Sequence, residues 1–438
     1  MSFFRQTLDD LRKLSRPVRA LLIGGFINLL GNGLILPYTL IYLHNVRHAT
    51  FAQAGALLGL VGITGLLVTP LAGPLIDRIG ALAIVITALV LLAVGYGSLA
   101  APLPRPTLIV SMALVGMGNG LFWPAQKAFL ALSVPPDRLH VVFAFDQIGA
   151  NLGIGLGALA GSIAIALAGE QAIAALFIAN AITFAVFAVT MAAVAPAARK
   201  AAASTRTGGA TPAAETGQPE AQAEEAGHAP HVTTLTILRT DVAFRRFILL
   251  QVVLVTCGYA AIEQLPVYLT NFSHVAAALT GIIFLANIVG NVLLPIPISR
   301  HLEGRDRINA LRACLVIWAA LWFVVAIGTG FGSGLVVVLI AACCTGLFAI
   351  GESIEAVTVD PLVSSLASEE TTGRYMAGLT TSWNIGLIIS PIIGGAIMQW
   401  QHVLLWPIFA LILLAAAALT PAIRSRVPVE QRLVPKGG

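Results

Sequence analysis

The sequence predicts an all-α integral membrane protein, with twelve transmembrane helices in two pseudo-symmetric six-helix bundles. Three observations predict it. First, the 438 residues are 58% hydrophobic and only 10% charged, against roughly 25% charged in a soluble globular chain. An aqueous fold would leave much of that apolar excess exposed, so the solvent must be a bilayer. Second, the apolar residues fall into twelve runs of at least about 20, the length a helix needs to cross the hydrocarbon. Third, Lys and Arg concentrate in alternate connections. The runs are too long for strands and lack period-two alternation. Lipid supplies no water to satisfy open backbone groups, so each span is helical.

In chain order, a basic stretch from Arg5 to Arg19 leads into span one, 18–43. This run exceeds a signal-peptide core and has no convincing cleavage site, so it reads as a span. Asn28 and Asn32 lie four apart in it, on one face, and Leu36-Pro37-Tyr38 follows. Span two, 51–76, ends in a loop containing Gly73, Asp77, Arg78 and Gly80. Span three is 80–101. Span four, 106–131, holds Asn119-Gly120-Leu121-Phe122, Trp123 and Lys127. Span five, 140–167, holds Asp146 and Asn151-Leu152-Gly153, then Gly157 and Gly161. Span six is 171–194.

Residues 195–235 are rich in Ala, Thr, Gly, Pro and Glu and poor in bulky apolar residues. Such a segment cannot bury enough surface to order itself. The expected organisation is therefore a bundle over 1–194, a flexible cytoplasmic linker over 195–245, and a bundle over 246–438 that ends in a cytoplasmic tail. Span seven, 246–271, contains Tyr259, Glu263 and Leu265-Pro266-Val267. Span eight, 275–299, contains Phe284, Asn287 and Asn291, and span nine is 308–329. Span ten, 333–359, contains Thr345-Gly346-Leu347-Phe348, Glu352 and Glu355. Span eleven, 374–398, contains Trp383, Asn384-Ile385-Gly386, Ser390-Pro391 and Gly394-Gly395; span twelve is 402–422.

With the N-terminus inside, 22 of the 25 Lys and Arg residues fall in inner loops and tails. Only Arg47 and Arg105 fall outside, and Lys127 lies within a span. Both termini are thus expected in the cytoplasm, in the inner or plasma membrane. The net charge of +5 reports topology, so no nucleic-acid partner is expected. Cys257, Cys314, Cys343 and Cys344 lie in apolar stretches without CxxC or zinc spacing, so no metal is expected. There is no Walker GxxxxGK[ST], H-E-x-x-H or nucleophile elbow, so neither ATP hydrolysis nor any other enzyme activity is indicated, and no cofactor.

The motifs of spans one, four and five recur in spans seven, ten and eleven with offsets near 230. Parallel six-helix repeats of this kind resemble the major facilitator superfamily. Gly73-Pro74-Leu75-Ile76-Asp77-Arg78-Ile79-Gly80 resembles that family's G-x-x-x-D-R-x-G loop, although Ala81-Leu82 replaces the basic pair that usually follows. The resemblance implies a charge relay at the inner gate. Gly153 to Ser162 resembles the antiporter signature G-x-x-x-G-P-x-x-G-G, with Ala158 for Pro and Ser162 for the last Gly. Gly386 to Gly395 keeps the Pro and both terminal glycines, with Ser390 for one Gly. Small residues at this spacing also let helices approach closely, whatever else they do. Met112 stands where the family's proton-linked Arg would be. Gly351-Glu352, Ala367-Ser368-Glu369-Glu370 and Gly373-Arg374-Tyr375 resemble the twelve-helix drug/proton antiporter branch.

Charges inside a membrane mark function by default. Glu263 has no charged neighbour in span seven, and its ionised form is desolvated there. That suits a proton carrier or an anchor for a cationic substrate; the alternative is a protonated acid bonded to a neighbouring helix. Glu352 and Glu355 share a helix face, where like charges repel. They read as a proton site, or as acids paired with a cation such as Arg374. Asp146 is a further proton-coupling candidate, although it can also pair with Lys127 across spans four and five. Asp360 reads as a solvated helix-end charge.

Candidate substrate contacts are Asn28, Asn32, Tyr38, Phe122, Trp123, Tyr259, Glu263, Phe284, Asn287, Asn291, Trp383 and Asn384. The amides can equally join helices, and the rings can pack or face lipid. Gly73, Asp77, Arg78 and Gly80 are the gating candidates. The expected function is secondary active transport by alternating access: proton-coupled efflux of hydrophobic or amphipathic, drug-like small molecules by a monomer. Expected partners are the substrate, protons and the bilayer. Import or uniport of a sugar, peptide or organic anion on the same fold is the alternative, and a non-transporting receptor a remote one.

Overall fold

The computed structural model describes residues 16–101, 104–134, 139–207, 234–331, 334–367 and 371–434. Arg5, Arg12, Lys13, Arg138, Ser368, Glu369, Glu370 and Lys436 lie outside the described residues.

The first bundle comprises α1 (Arg16–Val46), α2 (Phe51–Ile79), α3 (Ala81–Ala100), α4 (Arg105–Leu132), α5 (Leu139–Ala168) and α6 (Ala172–Thr207). The second comprises α7 (Val242–Phe272), α8 (Ala277–Leu293 with Pro295–Leu302), α9 (Arg307–Phe331), α10 (Leu335–Leu366), α11 (Thr372–Gln401) and α12 (Leu405–Arg424). Among the described residues, ten helical stretches are long and apolar enough to cross a membrane, and α8 is an eleventh, bent by 48° at its break. One of the ten, Arg374–Arg424, runs for 51 residues. It divides at the turn His402–Leu404, where Gln401 leaves helical geometry with φ −157° and ψ 85°. Its parts, α11 with 30 residues and α12 with 20, are each long enough to span. Twelve segments are consistent with this architecture.

Two boundaries differ from the sequence expectation. The helix of span six does not stop at 194 but continues to Thr207, because the Ala-rich stretch there has high helix propensity. Thr234–Thr240 forms a short helix, and α7 begins at Val242 with Asp241 as its cap, accepting from Phe244 N at 2.9 Å. Residues 208–233 of the expected linker lie outside the described residues.

Local chemistry sets several of the breaks. Thr50 and Gln53 form a reciprocal capping box that starts α2. Gly80 ends it at φ +89°, a conformation that favours glycine. Proline lacks the amide hydrogen and crowds the preceding turn. Pro37 sits in a 3₁₀ turn, Leu36–Tyr38, within α1. In α7 a 3₁₀ segment, Tyr259–Gln264, precedes Pro266 in the first turn of Leu265–Phe272. The two repeats thus break their first helices at corresponding places.

Packing repeats as well. In the first bundle α1 packs on α5 and α6, α2 on α4, and α3 on α4 and α6. In the second, α7 packs on α11 and α12, α8 on α10, and α9 on α10 and α12. The bundles meet through α2–α11 and α5–α8, a pair of contacts that the repeat exchanges. Helix contact at α1–α5 needs glycine: a Cβ on Gly33 would run into the Ile154 carbonyl, and one on Gly157 into that of Leu30.

Candidate functional site: a cavity between the two bundles

A cavity of about 760 Å³ lies between the bundles, within the range of small-molecule sites. From α1 it takes Leu36, Thr39 and Leu40, and from α2 Leu58, Val61, Gly62, Gly65 and Thr69. Tyr96 of α3 and Met112, Val115, Asn119, Trp123 and Lys127 of α4 form the next wall. The second bundle adds Glu263 of α7 and Thr380, Trp383, Asn384, Leu387 and Pro391 of α11. Thr69, Lys127 and Thr380 carry the lining toward the face where α1 begins and α12 ends.

At the opposite face the bundles are closed. There, within the first bundle, Tyr38 Oη bonds Ser162 Oγ at 2.8 Å and donates to the Ala158 carbonyl at 3.3 Å, and the second bundle comes up against it. A Cβ on Gly281 of α8 would lie 2.8 Å from the same Tyr38 oxygen. Phe51 N donates to Gln399 Oε1 at 3.2 Å. His44 stacks on Phe51 and Phe272 on His402, with centroids 3.7 and 4.0 Å apart, and Phe51 meets Phe272 tilted by 40° at 5.1 Å.

Glu263 is the one carboxylate among the lining residues and Lys127 the one cation. The turn Tyr259–Gln264 interrupts α7 and presents the Glu263 side chain to the cavity. Among the described residues Glu263 has no hydrogen-bond or ion-pair partner. Tyr96 lies within electrostatic reach of it. Its neighbour Gln264 turns inward and donates to Ser390 O and Oγ at 3.1 and 3.0 Å.

Glu352 and Glu355 are buried in the second bundle, away from the cavity lining. Although three residues apart on α10, they reach different helices, Glu352 toward α8 and Glu355 toward α7. Glu352 Oε2 accepts from Asn287 Nδ2 at 3.0 Å and from Asn291 Nδ2. Glu355 accepts from Gln251 Nε2 at 2.9 Å and from Tyr259 Oη at 3.2 Å. All four donors are neutral, and Arg374 is not among them. Asp146 accepts from Gln126 Nε2 at 3.3 Å, while Lys127 acts on it only electrostatically and lines the cavity.

Of the sequence candidates for substrate contact, Glu263, Trp123, Trp383 and Asn384 line the cavity. The others are placed elsewhere. Asn28 is fully buried inside the first bundle, and Asn32 is half-buried one turn on. Phe122 packs against Trp123 and Phe187. Tyr38 belongs to the closed face. Phe284 is buried in α8, and Asn287 and Asn291 serve Glu352. Tyr259 sits behind Trp383, ring centroids 4.7 Å apart. The cavity residues that sequence reading missed include Tyr96, Asn119, Thr39, Thr69 and Met112. Each is an ordinary helix residue in sequence, and only bundle geometry turns it inward.

Among the gating candidates, Asp77 and Arg78 are exposed at the end of α2 and make no ion pair among the described residues. Gly73 has open space around its Cα. No cluster of side chains among the described residues could hold a metal ion.

Residues 21–351 match the family profile described as Major Facilitator Superfamily. The uncharacterized MFS-type transporter YhjO of Bacillus subtilis is 23% identical over 97% of this chain and 96% of its own length. YttB of the same organism, likewise an uncharacterized MFS-type transporter, is 27% identical, but the match spans 40% of this chain and 43% of YttB. A multidrug resistance protein B homolog of Mycobacterium tuberculosis is 28% identical over 30% of this chain and 25% of its own. Among solved structures, a POT family transporter in complex with a thioalcohol-conjugated peptide superposes with a TM-score of 0.70 at 15% identity, over 93% of this chain and 96% of that one. The nucleoside transporter NupG superposes with a TM-score of 0.67 at 11% identity, over 94% and 99%. At these identities the structures report the fold alone. Family profile, full-length relative and repeated packing agree: the chain belongs to the Major Facilitator Superfamily and is a multi-pass membrane transporter.

Proposed function

We propose that the chain exports hydrophobic or amphipathic small molecules across the cell membrane in exchange for protons, with both termini cytoplasmic. The observation that carries this reading is Glu263: an unpartnered carboxylate in a cavity walled by Tyr96, Trp123 and Trp383. A carboxylate in such surroundings can hold a proton or a cationic substrate, but not both, which couples the two. The aromatic walls suit apolar cargo. Glu352, Glu355 and Asp146 are secondary proton sites, each held by neutral donors. Alternating access then rocks the bundles about α2–α11 and α5–α8, with Asp77 and Arg78 closing the terminal face when it shuts. The distant relatives described as multidrug resistance proteins support the cargo class.

The test is transport of a lipophilic cationic dye into proteoliposomes under an imposed pH gradient. Glu263→Gln should abolish gradient-driven transport while leaving expression and thermal stability intact. Undiminished transport by that variant would remove Glu263 from the mechanism. One observation favours a second reading, movement of an organic anion or other polar solute: Lys127, Asn119 and Asn384 share the same walls. Coupled flux with the proton, rather than against it, would select that reading.

A further inference from the structure

A second concavity, of about 580 Å³, lies on the far side of the second bundle from the central cavity. It is bounded by the end of α8, the first turns of α9 and the middle of α10. Its floor is apolar, with Leu302, Ala310 and Ile354 buried beneath Ile298, Ile317 and Ile350. Ala313 lies on its exposed wall, and Val316, one turn further into the membrane on α9, is also exposed. The groove is therefore open toward lipid.

Its end at the terminal face is different in character. His301 and Arg305, both exposed, form the rim. Asp306 also stands there, but its Oδ2 accepts from Arg424 Nε at 2.9 Å and lies 3.8 Å from Arg432 Nε. The acid is neutralised within the protein. Arg305, in contrast, has no side-chain partner among the described residues; only its backbone is engaged, with Leu302 and Val434. The rim thus presents an unmatched guanidinium and an imidazole at headgroup depth, above an apolar trough at acyl depth.

We propose that this groove binds an anionic phospholipid from the leaflet at the terminal face. One acyl chain lies along Ile298, Ile317, Ile350 and Ile354, and the phosphodiester sits against Arg305 and His301. The apolar trough selects a lipid over a soluble phosphate, and the uncompensated cation selects an anionic headgroup over a zwitterionic one. A guanidinium suits a phosphodiester because it donates two parallel hydrogen bonds.

The test uses the full chain, purified in detergent and titrated with dioleoyl phosphatidylglycerol, dioleoyl phosphatidylcholine or glycerol phosphate, following the unfolding temperature. Phosphatidylglycerol should stabilise at concentrations where the other two do little. Arg305→Gln should weaken that preference about fivefold, and Arg305→Lys should retain most of it. Ala313→Trp, an exposed substitution that fills the trough, should remove it while leaving the unfolding temperature in phosphatidylcholine unchanged. Equal stabilisation by both lipids would overturn the proposal. So would equal stabilisation by glycerol phosphate, or an undiminished preference in both Arg305→Gln and Ala313→Trp.

Discussion

Tyr38 Oη and Ser162 Oγ lie 2.8 Å apart, joining α1 to α5 within the first bundle. In the second bundle Gln264 Nε2 donates to Ser390 Oγ at 3.0 Å, joining α7 to α11 from a different position of the repeat. Both serines stand where the family's glycine-rich signature has glycine. Each hydroxyl meets a polar side chain buried at the break of the first helix of its repeat: Tyr38 just after Pro37, and Gln264, whose Oε1 has no partner among the described residues, shortly before Pro266.

Loss of the Tyr38 hydroxyl should loosen the first bundle. Tyr38→Phe leaves Ser162 with one partner fewer in a buried setting, at a cost of about 1 kcal/mol. The unfolding temperature should fall by about one to two degrees. An unchanged unfolding temperature would show that the bond adds nothing to the packing of α1 on α5.

The bond from Tyr259 to Glu355 connects a buried acid to the ring behind Trp383. Tyr259→Phe keeps the ring packing and removes one of the two donors to that carboxylate. Dye affinity should change little, and the pH dependence of transport should shift. A change in affinity with an unaltered pH profile would assign Tyr259 to the cavity wall only.

Glu352 depends on Asn287 and Asn291, which lie one turn apart on α8. Asn291→Leu leaves a buried carboxylate with one side-chain donor from α8, at a cost of about 1–3 kcal/mol. A lowered unfolding temperature is expected, and combining the change with Glu352→Leu should recover part of the loss. If the double variant is less stable than Asn291→Leu alone, the acid is held by other groups.

Asp306 ties the end of α12 and the segment after it to the α8–α9 turn through Arg424 and Arg432, beside backbone bonds from Gly304 N to Val434 O and from Val434 N to Arg305 O. Arg424 is 46% exposed, so the ion pair contributes less than about 1 kcal/mol. Asp306→Asn should leave the unfolding temperature within a degree or two, yet speed proteolytic removal of the C-terminal segment. Unchanged proteolysis would mean that the backbone bonds alone hold it.

Much of the fold was legible in the chain. Composition required a membrane, and span length with backbone satisfaction required helices. The repeat of Leu-Pro, Gly-Leu-Phe and Asn-x-Gly placed two related bundles in order, because these are local properties carried by neighbouring residues. The site was legible only in part. Glu263 stood out because a charge in an apolar run is costly wherever the helix points. Trp383 and Asn384 stood beside it, but Asn28, Phe122 and Phe284 looked equally suited and are buried within their bundles. Which face of an all-apolar helix turns to lipid, to a neighbour or to a cavity leaves little periodicity to read, since lipid and core are both apolar. The packing of α2 on α11 and α5 on α8 decided that. It turned Tyr96, Asn119 and Lys127 toward the cavity and gave Glu352 and Glu355 to different helices.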